Sequence, residues 1–242
     1  MHTHAHLIGR QHRLIQHNGQ DFAITGTLPG GGCFGLVLDG CGSKWRADNE
    51  PAQPSSNEVG ARLLGTFAAA TLPHLVTTTA ITELPHALAS TCLEFMRRLL
   101  ASMPFTDDLS RNRFVQTQLL CTLVGFVQTD AAAGFFWSGD GYLLHDDTII
   151  HLDSGNQPDY LAYRLFRDGS EPLIHTLVLP EPAHLSRLAV TTDGWNEALL
   201  TDVAAAPRSP LALQRWLNQQ AQQRGNFDDD GAIAIWHRNS EL

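Results

Sequence analysis

The stretch Leu36-Val37-Leu38-Asp39-Gly40-Cys41-Gly42-Ser43 decides the reading of this chain. Its apolar run has the period of a strand, so Val37 and Asp39 fall on one face. Two glycines then turn the backbone just past the carboxylate, which presents Asp39 at a strand end. Three more acidic clusters occur downstream in the same setting: Ser138-Gly139-Asp140-Gly141, Thr191-Thr192-Asp193-Gly194 and Asp228-Asp229-Asp230-Gly231. Each borders an apolar, strand-like segment. The pattern describes strand ends converging on one cluster of hard divalent cations.

Composition narrows the function classes. At 242 residues, 43% hydrophobic and 17% charged, the chain has enough apolar material for a substantial core. A formal net charge of -9 with 16 Lys plus Arg excludes a general nucleic-acid binder, which needs a basic face to neutralise phosphates. Cys33, Cys41, Cys92 and Cys121 are far apart and form no Cys-x-x-Cys pair, so free thiols are expected rather than a zinc site or a disulfide framework. The start, Met1-His2-Thr3-His4-Ala5-His6, lacks the basic and apolar regions of a signal peptide. No run of 18 apolar residues predicts a membrane span. These features predict a cytoplasmic monomer with no nucleic-acid or membrane partner.

Along the chain, residues 1–8 are expected to be a flexible His-rich terminus, followed by one domain over 9–242. His2, His4 and His6 alternate and could chelate a soft metal, but a mobile end is the simpler reading. Asp21 to Leu28 and Cys33 to Asp39 read as a hairpin turned by Pro29-Gly30-Gly31-Gly32. Residues 44–57 lack periodicity and are expected to be a loop insertion, or a lid beside the aspartate. Ser56 or Asn57 caps a predicted helix running from Glu58 to Phe67, and Leu84-Pro85 opens another reaching about Met103. In the second, Leu88, Cys92, Phe95, Met96 and Leu99 make one apolar stripe that reads as core. A β-rich block is expected over Arg113 to Leu152, including a strand from Phe114 to Val127. A surface excursion over 153–172, strands at Ile174–Leu179, Leu188–Thr192 and Ala232–Trp236, and a helix over Pro210–Gln222 complete the pattern. Sheet packed on sheet with helices outside is the architecture that accommodates these elements.

The chemistry follows from the donor type. Mg²⁺ and Mn²⁺ take carboxylate, carbonyl and water oxygens. Two such ions about 3.5 to 4 Å apart can share a water, lower its pKa and hold a phosphate for in-line attack. Asp39 followed by Gly40 offers a carboxylate and a closely approaching carbonyl, and Asp193 and Asp229 are the further arms. Cys41 lies beside them without a histidine partner placed by the sequence.

The order and context of these motifs resemble the metal-dependent protein serine/threonine phosphatases of type 2C. Asp39-Gly40 resembles that family's metal-bridging Asp-Gly pair. Gly139-Asp140 is similar to its Gly-Asp hairpin, Thr192-Asp193-Gly194 to its later Ser/Thr-Asp-Gly motif, and Asp229-Asp230 to its closing Asp-Asn pair. Glu197 falls where the family often places another acid for a third metal. Gly9, His12, Gln20-Asp21, Gly42-Ser43, Ser56-Asn57-Glu58-Val59-Gly60-Ala61 and the Asp-Asp-Asp ending resemble a bacterial branch.

The resemblance implies a four-layer α/β/β/α sandwich, two central antiparallel sheets flanked by helices. It implies hydrolysis of phosphoserine and phosphothreonine in protein substrates with two Mn²⁺ or Mg²⁺ ions and room for a third. It also implies cooperation with a cognate serine/threonine kinase. Asp39, Gly40, Asp193 and Asp229 would hold the metals, Asp21 would order the water shell, and Asp140 and Glu197 would serve the third site. The chain departs from the pattern where many members carry a phosphate-binding arginine. His12 stands there, with Arg10 and Arg13 flanking it as substitutes. Asp-Asn becomes Asp229-Asp230, and the usual Gly-Thr-Thr strand start aligns with Val115-Gln116-Thr117. The missing arginine raises an alternative, a catalytically weak regulatory module that binds phosphoprotein partners.

Overall fold

The strands are β1 (His2–Leu7), β2 (Asp21–Thr27), β3 (Cys33–Asp39), β4 (Lys44–Trp45), β5 (Pro51–Gln53), β6 (Leu123–Gln128), β7 (Ala133–Ser138), β8 (Gly141–His145), β9 (Thr148–Leu152), β10 (His175–Leu179), β11 (Arg187–Thr191) and β12 (Gly231–His237). The helices are α1 (Arg10–Leu14), α2 (Glu58–Thr78), α3 (Leu84–Ala101), α4 (Asp108–Gln118), α5 (Glu197–Ala204) and α6 (Pro210–Gln220), with 3₁₀ turns at Leu161–Phe166 and Pro182–His184. The computed structural model describes residues 1–14, 18–42, 44–45, 51–155, 158–166 and 174–238.

Two five-stranded sheets carry the fold, one ordered β1-β12-β11-β8-β9 and the other β10-β7-β6-β3-β2. Every pairing in both is antiparallel. The alternation in β3 explains the layering. Leu36 and Leu38 face Leu64, Ala68 and Leu72 of α2 and Leu88, Cys92 and Leu93 of α3. Val37, on the opposite face, joins Val124, Phe126 and Phe135 against Leu143, Leu188 and Val190 of the other sheet. Ala189, Ile233 and Ile235 on that sheet's far face pack on Leu200, Val203, Leu213 and Leu217 of α5 and α6. The result is the expected α/β/β/α sandwich. Each fully buried leucine in these layers contributes about 1.5–3 kcal/mol of transfer free energy. Among the described residues α2 alone is long and apolar enough to cross a bilayer, and here its Ala61, Leu64, Ala68, Ala69 and Leu72 pack in the core.

Four expectations need correction. Residues 2–7 are not a flexible end but an edge strand paired along its whole length with β12. Thr3, Ala5 and Leu7 are buried there, and this apolar face offsets the cost of ordering the terminus. The predicted strand over Phe114–Val127 begins instead at Leu123, because Asp108–Gln118 is helical. Asp107 accepts the Ser110 backbone N–H at 2.7 Å and Ser110 closes the box back onto Asp107. The helix buries Val115 alone, so no apolar stripe announced it. Helix α2 runs eleven residues past Phe67, through Pro73 to Thr78. Finally, Asn57 flanks α2 without capping it by its side chain. Within the predicted insertion, β4 and β5 pair as a short hairpin. Ser43, residues 46–50, and parts of the 153–172 excursion (156–157 and 167–172) lie outside the described residues.

Phe126 is wholly buried between the sheets. Phe126→Ala is expected to destabilise the protein by about 3–5 kcal/mol, read from urea unfolding; a loss under about 1 kcal/mol would contradict this inter-sheet packing.

Candidate metal centre

Strand register brings the first two carboxylates together. Asp39 shares the inter-sheet face with Val37, and β2 pairs with β3 so that Asp21 lies directly opposite Asp39. The backbone around Asp39 is held from the other side by Thr122, whose hydroxyl accepts the Asp39 N–H at 2.9 Å and whose own N–H donates to the Asp39 carbonyl at 2.9 Å. Gly40 then bridges to Cys121 and donates its N–H to the Gln20 carbonyl at 3.1 Å. A Cβ on Gly40 would stand 2.7 Å from the Asn57 carbonyl carbon, so this approach requires glycine.

Asn57 explains its missing cap. Its amide is fully buried and donates to the Cys41 carbonyl at 2.8 Å and the Gln116 carbonyl at 3.3 Å. Its side-chain oxygen accepts the Leu120 N–H at 3.0 Å. One side chain thus ties the turn after Asp39 to the connection between α4 and β6.

The opposite sheet supplies the remaining acids. Asp140 sits in the β7–β8 turn between Gly139 (φ 108°) and Gly141 (φ 138°), and accepts a 2.6 Å bond from Ser154. Just past β11, the Thr192 hydroxyl donates to Asp21 and accepts the Ala232 N–H at 2.9 Å, which locks Asp193 in place after it. Gly194 follows because a Cβ there would fall 1.7 Å from the Asp230 carbonyl oxygen. Asp229 and Asp230 lead into β12.

Electrostatics show how close these groups come. Burial, then the Asp193 charge, with Asp229 and Asp140 adding to it, pushes the Asp39 carboxyl up to about 8, while a hydrogen bond from Asp21 works the other way. Asp21 is only 3% exposed, and burial followed by the Asp39 charge raises it well above the carboxylate range. Asp193 is pushed up to about 6 by burial and by Asp140 and Asp229. Among the described residues no lysine or arginine forms an ion pair with Asp21, Asp39, Asp140, Asp193 or Asp229. A set of oxygen donors that repel one another, Asp21 buried, Asp39 and Asp140 half-buried and Asp193 and Asp229 exposed, with no lysine or arginine ion pair to any of them among the described residues, fits hard divalent cations.

The other sequence-predicted residues fall around this set. Glu197, in the first turn of α5, acts together with Asp193 on the Tyr142 phenol and does not appear among the charges that raise Asp39. His12 lies beside the cluster, its Nδ1 3.0 Å from Asp230 and 3.9 Å from Asp229. Arg13 instead reaches the Ala221 carbonyl at 3.5 Å, and Arg10 docks by its backbone N–H onto the Phe227 carbonyl at 3.0 Å.

Sequence reading named Asn57, Thr192 and Asp230 without their positioning roles, and did not single out Thr122. Val115-Gln116-Thr117, aligned above with a strand start, lies inside α4, and β6 begins at Leu123, directly after Thr122. Asp230 is 3% exposed and accepts the N–H groups of Gly9 (2.6 Å) and Gln20 (2.5 Å) besides facing His12. A buried polar residue needs partners, but the chain order does not say which.

Comparison with known proteins supports the family and the fold that carry this site. The family model described as protein phosphatase 2C matches residues 8–226. The chain belongs to the protein phosphatase 2C family. The match spans Asp39, Asp140 and Asp193 and stops just short of Asp229. Solved structures agree on the fold of this phosphatase 2C chain. A serine/threonine phosphatase of S. agalactiae aligns with TM-score 0.62 at 14% identity over 98% of this chain and 99% of that one. PppA, a regulatory component of T6SS in Pseudomonas aeruginosa, aligns with TM-score 0.57 at 17% identity over 98% and 97%. The catalytic domain of the serine threonine protein phosphatase PstP, solved with two manganese ions, aligns with TM-score 0.59 at 14% identity over 97% and 96%. No curated protein matches the chain.

Two predictions follow from the repulsion and the clamp. A carboxyl raised in the folded state stabilises it below its unfolded pKa, and this contribution is lost as pH rises through the folded value. In EDTA, the stability of the wild type relative to Asp39→Asn is therefore expected to fall between pH 3.8 and about 8, by on the order of a few kcal/mol. Thermal melts across that range check it; a difference that stays flat or grows would refute the repulsion. Thr122→Val strands the Asp39 N–H and is expected to cost about 1–3 kcal/mol in chemical denaturation, whereas a neutral result would show that this bond does not hold the strand end.

Proposed function

We propose that this chain is a metal-dependent protein serine/threonine phosphatase acting on phosphoserine and phosphothreonine. The observation that supports it most is the gathering of Asp21, Asp39, Asp140, Asp193 and Asp229 at one end of the two sheets, with no lysine or arginine ion pair to any of them among the described residues, in a chain of this family. Asp39, the Gly40 carbonyl, Asp193 and Asp229 would hold two Mn²⁺ or Mg²⁺ ions, and Asp140, Asp193 and Glu197 a third. Bound ions of this kind supply a water of lowered pKa and offset the charge of a phosphoryl group.

The chain's own residues prepare the rest. Asp21, fixed by Thr192 and opposite Asp39, accepts or donates hydrogen bonds to ordered water. Asp230 orients the His12 imidazole at the rim, where it offers the N–H that the family's arginine usually provides. Arg10, exposed in the same helix, would offer a second donor. No covalent phosphoenzyme is required by this donor set. The protein is read as a cytoplasmic monomer whose partners are phosphorylated proteins and a cognate serine/threonine kinase.

One observation favours a second reading. Arg13 is turned to a backbone carbonyl of the α6 terminus, so the phosphate loses one guanidinium that the sequence had offered. A catalytically weak module that binds phosphoproteins accommodates this.

Hydrolysis of a phosphothreonine peptide with Mn²⁺, Mg²⁺ or EDTA separates the two. The phosphatase reading expects metal-dependent turnover that falls by about 10³-fold or more in Asp39→Asn and Asp193→Asn. Folded wild type that binds Mn²⁺ and the peptide but turns it over no faster than those variants would establish the binding module instead.

A further inference from the structure

The ladder between β2 and β3 ends in a rung that is made only one way. Asp21 stands opposite Asp39, so Gln20 and Gly40 face each other one step further out, and the Gly40 N–H donates to the Gln20 carbonyl at 3.1 Å. In an antiparallel ladder such a rung is normally reciprocal, each residue donating to the other. Here the Gln20 N–H is drawn away and donates to Asp230 Oδ2 at 2.5 Å. Among the described residues no donor reaches the Gly40 carbonyl. Its neighbours on either side are satisfied: the Asp39 carbonyl accepts the Thr122 N–H, and the Cys41 carbonyl accepts the Asn57 amide and the Ser55 hydroxyl. Gly40 is buried, and a buried backbone carbonyl without a partner is uncommon.

Asp230 is fixed so that it can keep this N–H. Its backbone is clamped between two glycines: a Cβ on Gly9 would fall 2.5 Å from the Asp230 nitrogen, and one on Gly194 would fall 1.7 Å from its carbonyl oxygen. Its own N–H donates to the Asp229 carboxylate at 2.8 Å. Of its two carboxylate oxygens, Oδ1 accepts the Gly9 N–H at 2.6 Å and lies 3.0 Å from His12 Nδ1, which leaves Oδ2 for Gln20. With the residue only 3% exposed, little water competes for that oxygen. A carboxylate is a stronger acceptor than a peptide carbonyl, so Gln20 bonded to Asp230 is favoured over closure of the rung.

We propose that Asp230 is a positioning residue for the metal centre: by holding the Gln20 N–H it keeps the Gly40 carbonyl free to act as an oxygen ligand. The proposal rests on the reading of Asp39 and Gly40 as metal ligands. Mg²⁺ and Mn²⁺ take carbonyl as well as carboxylate oxygens, and an N–H bonded to that carbonyl would turn its positive end toward the ion. Asp230 itself is set apart from the ligands, because each of its oxygens already accepts a backbone N–H. Releasing Gln20 therefore weakens metal binding without removing a ligand.

Two measurements on the full chain test it: calorimetric titration with Mn²⁺, and NMR of ¹³C,¹⁵N-labelled protein titrated with diamagnetic Mg²⁺. In the wild type the Gly40 carbonyl carbon is expected to shift as Mg²⁺ binds, while the Gln20 amide proton keeps the downfield position of a short bond to a carboxylate. Asp230→Ala is expected to bind Mn²⁺ at least about tenfold more weakly, with the Gln20 amide proton moved upfield and the Gly40 carbonyl carbon no longer responding to Mg²⁺. Asp228→Asn removes a neighbouring exposed carboxylate and is expected to stay within about threefold of the wild type, which separates this role from a loss of charge. The wild-type spectra decide the matter even where Asp230→Ala does not fold. A wild-type Gly40 carbonyl carbon unmoved by saturating Mg²⁺, a folded Asp230→Ala that binds Mn²⁺ as tightly as the wild type, or an equal loss in Asp228→Asn overturns the inference. Failure of the metal-centre reading itself looks different, since Mn²⁺ binding would then survive Asp39→Asn unchanged.

Discussion

Repulsion among clustered carboxylates is the constraint around which this structure is arranged. Asp21 and Asp39 face each other across β2 and β3, with Asp193, Asp229 and Asp140 close enough to raise the pKa of Asp39, and Asp140 and Asp229 that of Asp193. Without cations, the acids are accommodated by keeping protons where water would have removed them. The surrounding hydrogen bonds hold the strand ends against this repulsion: Thr122 and Asn57 on one sheet, Thr192 and Asp230 on the other. Stability is therefore lowest where the site is most ready to accept metal, the trade-off expected of a functional centre.

The four layers serve that arrangement. Leu36 and Leu38 fix one face of β3 on α2 and α3, so its other face, with Val37 and Asp39, must look toward the second sheet. A slip of one residue would bury Asp39 beneath the helices and expose the leucines to the inter-sheet layer. Register, set by apolar packing over the length of the strand, is thus what aims the carboxylate.

Much of this was legible in the order of residues. The period of Leu36–Asp39, the Asp-Gly turns and the oxygen-only donor set pointed to the sheets and to the carboxylate centre. What the chain order left out is long-range or conditional on it. The β1 strand was hidden because three histidines dominate its reading, while its buried face is only Thr3, Ala5 and Leu7. Helix α4 rests on the Asp107–Ser110 box rather than on an apolar stripe. Asn57 looked like a helix cap, yet its partners are 16, 59 and 63 residues away. His12 and Asp230 were noted as separate departures from the family pattern, and only the fold shows that they touch.

The account is tested most directly by counting protons. Calorimetric titration with Mn²⁺ at neutral pH, repeated in buffers of different ionisation enthalpy, measures how many protons leave when metal binds. Because Asp39 is pushed up to about 8 and Asp21 is raised as well, Mn²⁺ binding is expected to release about one proton or more per chain, and this release should shrink in Asp39→Asn. Tight Mn²⁺ binding without proton release would contradict the account, since the carboxylates would then already be ionised and the repulsion at its centre would be absent.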